Sequence, residues 1–511
     1  MSTDVDPILA VGAVVAALLA GAPLALVVAP RVRALLMLGA LVLTPVLLLA
    51  EIWDTDQIES LRGRPVVALV AAALGVVAVA AVALLLHRRP MLFPALAVAA
   101  LPFRIPIAAG GSTASLLVPL YLVIAAGVLA YAVPRLRGAP ETDAEPEPEG
   151  VWVRRFLALS LVLYAAQASY SSDFERALQQ VVFFYVPFTL LATLLARVSW
   201  TRPVLERCLA VLVALSVVFV SIGFVEYATR HILLNPKVIA SNQFEEYFRV
   251  NSLFFDPNIY GRFLAIVMLL VAAVLLWERR PRVTVACGVL LALFWAGLVL
   301  TLSQSSFTAL LAGLVVLAAL RWGTRPAAIA AGAVLLAGIV VVLATPSSFG
   351  LDRDANDASS GRLDLIEGGV RLAGDAPVAG HGSGSFRREY RRNENATGER
   401  ATNASHTIPI TVGAEQGIPG LLVYLGLLGT ALTLLLRRAR DSIARAGVAA
   451  AFVALVVHTL MYAAFLEDPL TWALLGIGIG LASRPGDRPA KPEPEPQDRE
   501  SRRARRRAAT A

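Results

Sequence analysis

Three of the five histidines, His231, His381 and His406, fall in two long polar stretches between apolar runs. Two arginines stand in the same stretches: Arg249 in YFRVNSLFFDPNIYGRF and Arg362 in SSGRLDLIEGGVRLAGDAPVAGHGSGSF. An imidazole titrates near neutral pH and can take a proton from a hydroxyl. A guanidinium keeps its charge and can hold a phosphate with two parallel N–H groups. Plainer readings stand beside these. A lone loop histidine is commonly solvated, and Arg362 stands where it can pair with Asp364 or Glu367 on the surface.

Other positions point to structure. No histidine pair has metal-ligand spacing and no acidic cluster accompanies them, so no metal is expected. GHGSG, residues 380–384, lacks the strand and helix that flank a nucleotide loop and reads as a turn. Asp256-Pro257-Asn258 reads as a turn and cap leading into a helix. His458 lies inside an apolar run, where an ionisable residue is a functional candidate; a hydrogen bond between helices is its simpler reading. His87, beside Arg88 and Arg89, reads as an interface residue. Cys208 and Cys287 both sit in apolar runs and read as buried thiols.

These side chains need a frame, and composition names it. The chain has 511 residues, 57% hydrophobic and 16% charged. A soluble domain has about 45–50% and about 25%. Apolar runs recur from Ile8 to Leu481. This excludes a soluble enzyme, a disordered chain and a disulfide scaffold. A membrane span takes roughly 20 apolar residues, and these runs are continuous, not the short alternating strands of a barrel. The expected fold is all-α membrane: a polytopic helical bundle of about 12–15 transmembrane helices. One of the expected spans is 91–108.

The net charge is +8, with the basic residues scattered at the ends of the runs. Nucleic acid is therefore not an expected partner. Arg31 and Arg33, Arg88 and Arg89, Arg135 and Arg137, Arg154 and Arg155, Arg279 to Arg282, Arg321 and Arg325, and Arg437 to Arg440 fall on alternate loops. The positive-inside rule places those loops in the cytoplasm. The two long polar stretches, about 227–258 and 345–408, then face outward, and loops that long are rarely plain connectors. The chain divides into N-terminal transmembrane helices (1–133), a cytoplasmic Pro/Glu-rich linker (134–155, containing GAPETDAEPEPEG), a transmembrane core (156–483) and a basic disordered cytoplasmic tail (484–511). The tail's arginines are expected to face membrane lipid.

Four segments together resemble the O-antigen ligase and polymerase family of bacterial membrane proteins. His406 and Thr407 are followed by nine residues, then Gly417, two residues and Gly420, in SHTIPITVGAEQGIPG. Thr407 stands where the family usually has Asn, Ser or Gln. AGDAPVAGHGSGSF (373–386) and NSLFFDPNIYG (251–261) are similar to two further family segments. TLSQSSFTALLAGL (301–314) is similar to another, with Gln304 where Arg is common. The resemblance covers about 226–436; the N-terminal spans match in hydropathy alone.

The resemblance implies a GT-C-like fold with long extracytoplasmic loops, in the bacterial inner membrane. It implies transfer of a glycan from a polyprenyl-diphosphate carrier to an acceptor hydroxyl on the outer face. The acceptor is a glycan, a lipid or a protein. No cofactor or metal is implied, because the diphosphate lipid is the leaving group. Arg249 and Arg362 would hold the diphosphate, and His406 would be the general base. Asn258, Glu415, Gly417 and Gly420 would support the site. A single displacement inverts the anomeric carbon. A polysaccharide polymerase shares this chemistry and remains an alternative. A transporter of the lipid-linked glycan is another; it would use polar groups near the bilayer midplane, where Arg104 and Glu226 are candidates.

Overall fold

The computed structural model describes residues 5–53, 63–103, 105–109, 112–139, 148–233, 248–344, 362–394, 407–462 and 464–483. Among the described residues, eleven helices are long and apolar enough to cross a membrane. They are α1 (Pro7–Ala25), α2 (Pro30–Glu51), α3 (Pro65–Arg88), α5 (Val118–Leu136), α6 (Val151–Ala168), α7 (Phe174–Ala196), α8 (Arg202–Thr229), α9 (Pro257–Trp277), α10 (Pro281–Thr301), α11 (Gln304–Trp322) and α15 (Ile408–Leu436). Four further apolar helices are α4 (Phe93–Ala100), α12 (Thr324–Ala344), α16 (Ile443–Thr459) and α17 (Pro469–Ala482). Two short helices, α13 (Arg362–Asp375) and α14 (Phe386–Asn393), belong to the second long polar stretch. The architecture is that of a polytopic helical membrane protein.

Local chemistry sets the helix starts. Pro7, Pro30, Pro65, Pro257, Pro281 and Pro469 each occupy the first helical position, where no N–H is needed. Asp6, Asp256 and Asp468 cap three of those helices by accepting backbone N–H groups; Asp256 Oδ1 accepts from Asn258 N at 2.6 Å. In α7 a π-turn spans Val181–Tyr185. Its cause is Pro187, which gives Phe183 no N–H partner one turn later. The Tyr121 hydroxyl donates to the Phe183 carbonyl instead, at 2.8 Å.

Alanines let the N-terminal helices approach closely: α1 buries Ala13, Ala16, Ala17 and Ala20 where it meets α2 and α6. Farther along, α16 packs between α9 and α11, and α17 packs on α7. By contrast α3 leaves almost its whole surface exposed. Cys208 and Cys287 are buried free thiols.

The span expected at 91–108 is not one continuous helix. A 3-10 turn (Pro90–Leu92) leads into α4, and a two-stranded antiparallel hairpin follows, β1 (Ile105–Ala109) with β2 (Ser112–Leu116). Pro102 and Pro106 interrupt helical hydrogen bonding. Helices enter both ends of the stretch expected to be a linker, since α5 runs to Leu136 and α6 begins at Val151. Residues 140–147 of that linker, the tail 484–511 and Arg104 lie outside the described residues.

Candidate functional site

The first long loop closes on Glu226, buried near the end of α8. Its carboxylate accepts from Ser252 N at 2.7 Å and Leu233 N at 3.2 Å. Ser252 adopts φ +51°, a region that costs a non-glycine residue energy. The Glu226 contact and a Ser252 Oγ bond to the Phe219 carbonyl (2.9 Å) hold it there. Glu226 thus anchors a loop, and does not line a path.

Arg249 lies over the C-terminal end of α10. Its Nε donates to the Thr301 carbonyl at 3.0 Å, while Val250 N reaches the Leu300 carbonyl at 3.1 Å. Here α10 ends with Leu302 in a left-handed conformation, leaving carbonyls for outside donors. Arg249 Nη2 also reaches Asn258 Oδ1 at 3.4 Å. Asn258 Oδ1 accepts from Ser303 Oγ at 2.8 Å. Ser303 Oγ meets Ser305 Oγ (3.2 Å) and Ser306 Oγ (2.8 Å). Ser305 Oγ meets His458 Nε2 at 3.2 Å, inside the bundle. A polar chain therefore runs from Arg249 through Asn258 and two serines to a fully buried histidine. His458 does bond another helix, as its simpler reading had it. Beside this chain, Arg262 and Asp468 form a buried ion pair between α9 and α17.

The second long loop closes on a break in α15. Gly417 has φ +64° and ψ −160°, a combination that is essentially glycine-only, so the helix divides into 408–416 and 418–436. A break in a span frees backbone groups that hydrocarbon cannot satisfy. The protein satisfies them. Ala414 O accepts from His381 N (3.0 Å), Glu415 O from Gly382 N (2.9 Å) and Gln416 O from Gln167 Nε2 (3.1 Å). On the far side, Ile418 N donates to Pro377 O at 2.8 Å. The Glu415 carboxylate turns back to accept from Gly384 N (2.9 Å) and Phe386 N (3.2 Å), the entry to α14. GHGSG is thus a turn, as expected, and its three glycines all have positive φ.

This turn also locks onto the corner between α6 and α7. Ser171 Oγ donates to Ser383 O at 2.7 Å and Tyr170 OH to Ala379 O at 2.6 Å. Burial pushes the Tyr170 phenol above its ordinary range, so it stays a neutral donor. A small outer core of Leu365, Leu372, Phe386, Tyr390 and Ala414 fixes α13 and α14 to the first half of α15. A 50 Å³ cavity lies along that half, lined partly by Tyr164, Tyr185, Glu415, Tyr424 and Glu467.

His406 lies outside the described residues, as does the side chain of Arg362, whose backbone opens α13. Glu367, one surface partner considered for Arg362, pairs with Arg371 at 2.6 Å. Thr407, the neighbour of His406, donates Oγ1 to the Leu460 carbonyl at 3.2 Å. Leu460 follows α16 directly, and His458 stands two residues before it. The two loop systems therefore meet at one end of α16. Gly417 makes the break, a Cβ on Gly420 would meet the Gln416 side chain, Glu415 holds the turn, and Asn258 accepts from Arg249.

Sequence reading passed over one outer feature. The helix FRREYRRN carries Arg387, Arg388, Arg391 and Arg392. Burial and the neighbouring Arg391 and Arg176 lower the Arg387 pKa, which marks a crowded positive surface. The clue was present as four arginines in a loop expected on the side that arginine avoids.

The bundle and its two closed loops define a multi-pass membrane protein. The family model described as O-antigen ligase matches residues 289–425, from within α10 to the second half of α15. Over that segment the chain is similar to the O-antigen ligase family. The matched stretch contains Ser303, Arg362, the glycine turn and Gly417; Arg249 and Asn258 precede it. No curated protein matches the chain.

Proposed function

We propose that the protein is a glycosyltransferase that moves a glycan from a polyprenyl-diphosphate carrier to an acceptor hydroxyl on the extracytoplasmic face. Arg249 and Arg362 hold the diphosphate. His406 takes the proton of the acceptor hydroxyl as that oxygen attacks the anomeric carbon. The glycosyl–phosphate bond breaks with inversion, and the lipid diphosphate leaves with the electron pair. Arginine charge offsets the negative charge that develops on the leaving oxygen.

One observation carries this reading. The end of α16 touches both the Arg249 chain, through His458 and Ser305, and the threonine beside His406. That contact supports reading the Arg249 chain and the start of α15, which follows His406 in sequence, as parts of one site. Transport has less support: Glu226 is engaged in loop closure and protein groups fill the break in α15.

The test is release of free polyprenyl diphosphate by purified protein offered a lipid-linked oligosaccharide and candidate acceptors. Release is expected to need an acceptor, to need no added metal, and to collapse in His406→Ala, Arg249→Ala and Arg362→Ala. A distinct acceptor molecule identifies a ligase; a ladder from donor alone identifies a polymerase. Donor that crosses a sealed bilayer without release overturns the transferase reading in favour of transport.

A further inference from the structure

We infer a second lipid site at the opposite, arginine-rich end of the bundle: a groove between α3 and α5 that holds one acyl chain of an anionic phospholipid, with its phosphate at Arg31 and Arg137. The groove has a volume of 710 Å³. Ala80 and Ala83 of α3 and Ala130 and Val133 of α5 form its walls. His87 and Arg137 stand at one end of it. Arg31 reaches the same end, its Nη2 lying 3.2 Å from where a Cβ on Gly138 would sit.

Three observations select the occupant. The walls are apolar, and Ala80, Ala83 and Ala130 among Leu84, Leu129 and Val133 leave room along the helices for a chain. α3 is otherwise exposed along nearly its whole length, so what fills the groove also seats that helix. Above all, the end is rich in positive charge. Among the described residues, none of Arg31, His87, Arg88 and Arg137 has a side-chain hydrogen bond or ion pair. A zwitterionic headgroup would bring its own cation among these. An anionic phosphodiester brings charge that two guanidinium forks can take bidentately. The site is separate from the outer mouth and does not depend on the reaction proposed there.

The experiment uses full-length protein in bilayers of equal parts phosphatidylglycerol and phosphatidylcholine with identical acyl chains. The lipid that stays bound after transfer to the gas phase is counted by native mass spectrometry. Wild type is expected to retain phosphatidylglycerol about tenfold over phosphatidylcholine, since each arginine near the surface adds roughly one surface charge contact. The double variant Arg31→Gln/Arg137→Gln is expected to lose most of that preference, and Arg31→Lys/Arg137→Lys to keep most of it. Ala83→Trp, which fills the groove, is expected to lose the retained lipid of either kind. Arg282→Gln, at the exposed start of α10, is expected to change nothing. Equal retention of both lipids by wild type, an unchanged preference in the double glutamine variant, or an equal loss in Arg282→Gln would each overturn the site.

Discussion

At the residue scale, Arg249 has two duties. It caps the end of α10 at Thr301 and touches Asn258. A hydrogen bond to a charged group contributes about 1.5–3 kcal/mol, so losing the proposed phosphate contact in Arg249→Ala should slow release by about ten- to hundredfold. Arg249→Lys keeps the charge but not the fork, and should recover a part of the rate. Thermal unfolding of the same variants separates the duties: a purely structural role would lower Tm and spare turnover. His406 makes a different prediction. As a base it must be deprotonated, so release should fall as pH drops below about 6.5, the ordinary imidazole value. A flat profile from pH 5 to 8 would exclude it. Residue types made Arg249 and His406 candidates in the sequence, because few side chains can hold phosphate or exchange protons near neutrality. The partners were not legible. Nothing in the spacing joins Asn258 to Ser303, or His458 to Ser305; only the packing of α16 against α9 and α11 does.

At the scale of elements, the break in α15 is the sharpest case. Gly417→Ala places a Cβ 2.8 Å from two carbonyl oxygens, at Pro377 and Val378, in a backbone region that suits glycine alone. The backbone strain alone is about 1–3 kcal/mol, so Tm should fall clearly. Glu415→Gln removes one of two carboxylate oxygens that receive the turn and should cost about 1–3 kcal/mol. In both, release should fall along with stability, because the turn and the start of α15 move together. A fall in Tm with unchanged release would separate the turn from the site. For α14, Arg387→Ala should raise KM for a charged acceptor more than it lowers kcat, since a positive surface acts mainly on encounter. The spans were legible because long apolar runs leave little choice of structure. The break was not: a glycine followed by proline two residues on also fits an unbroken, merely kinked helix. The hairpin was missed because its first strand, Ile105–Ala109, is as apolar as the helix before it, and only Pro102 and Pro106 speak against a continued helix there.

At the scale of the whole molecule, charge asymmetry fixes the expected orientation. Single cysteines placed at Arg137 and at Arg388, in a background without Cys208 and Cys287, should label from opposite sides of intact cells. Labelling from the same side would invert or break the proposed topology and move the site off the outer face. The bundle as such was legible from composition. How its parts are shared was less so: the matched family segment covers residues 289–425, yet its loop is held by Gln167 of α6 and by Leu460 just after α16, while Glu226 of α8 holds the first long loop, which lies outside that segment. The N-terminal and C-terminal helices are thus part of what holds the site, and truncating to the matched segment should abolish release.

The break at Gly417 also bears on how the protein is made. A half-helix with open carbonyls is a poor guest in lipid. The groups that close it, on residues 377–382 and on Gln167, all lie upstream. They leave the ribosome before α15 does. The receiving surface can therefore be assembled before the broken span arrives, and α15 can enter the membrane against protein instead of against hydrocarbon. Moving the glycine turn downstream of α15 by circular permutation would reverse that order, and membrane insertion should suffer even where every contact of the finished fold is kept.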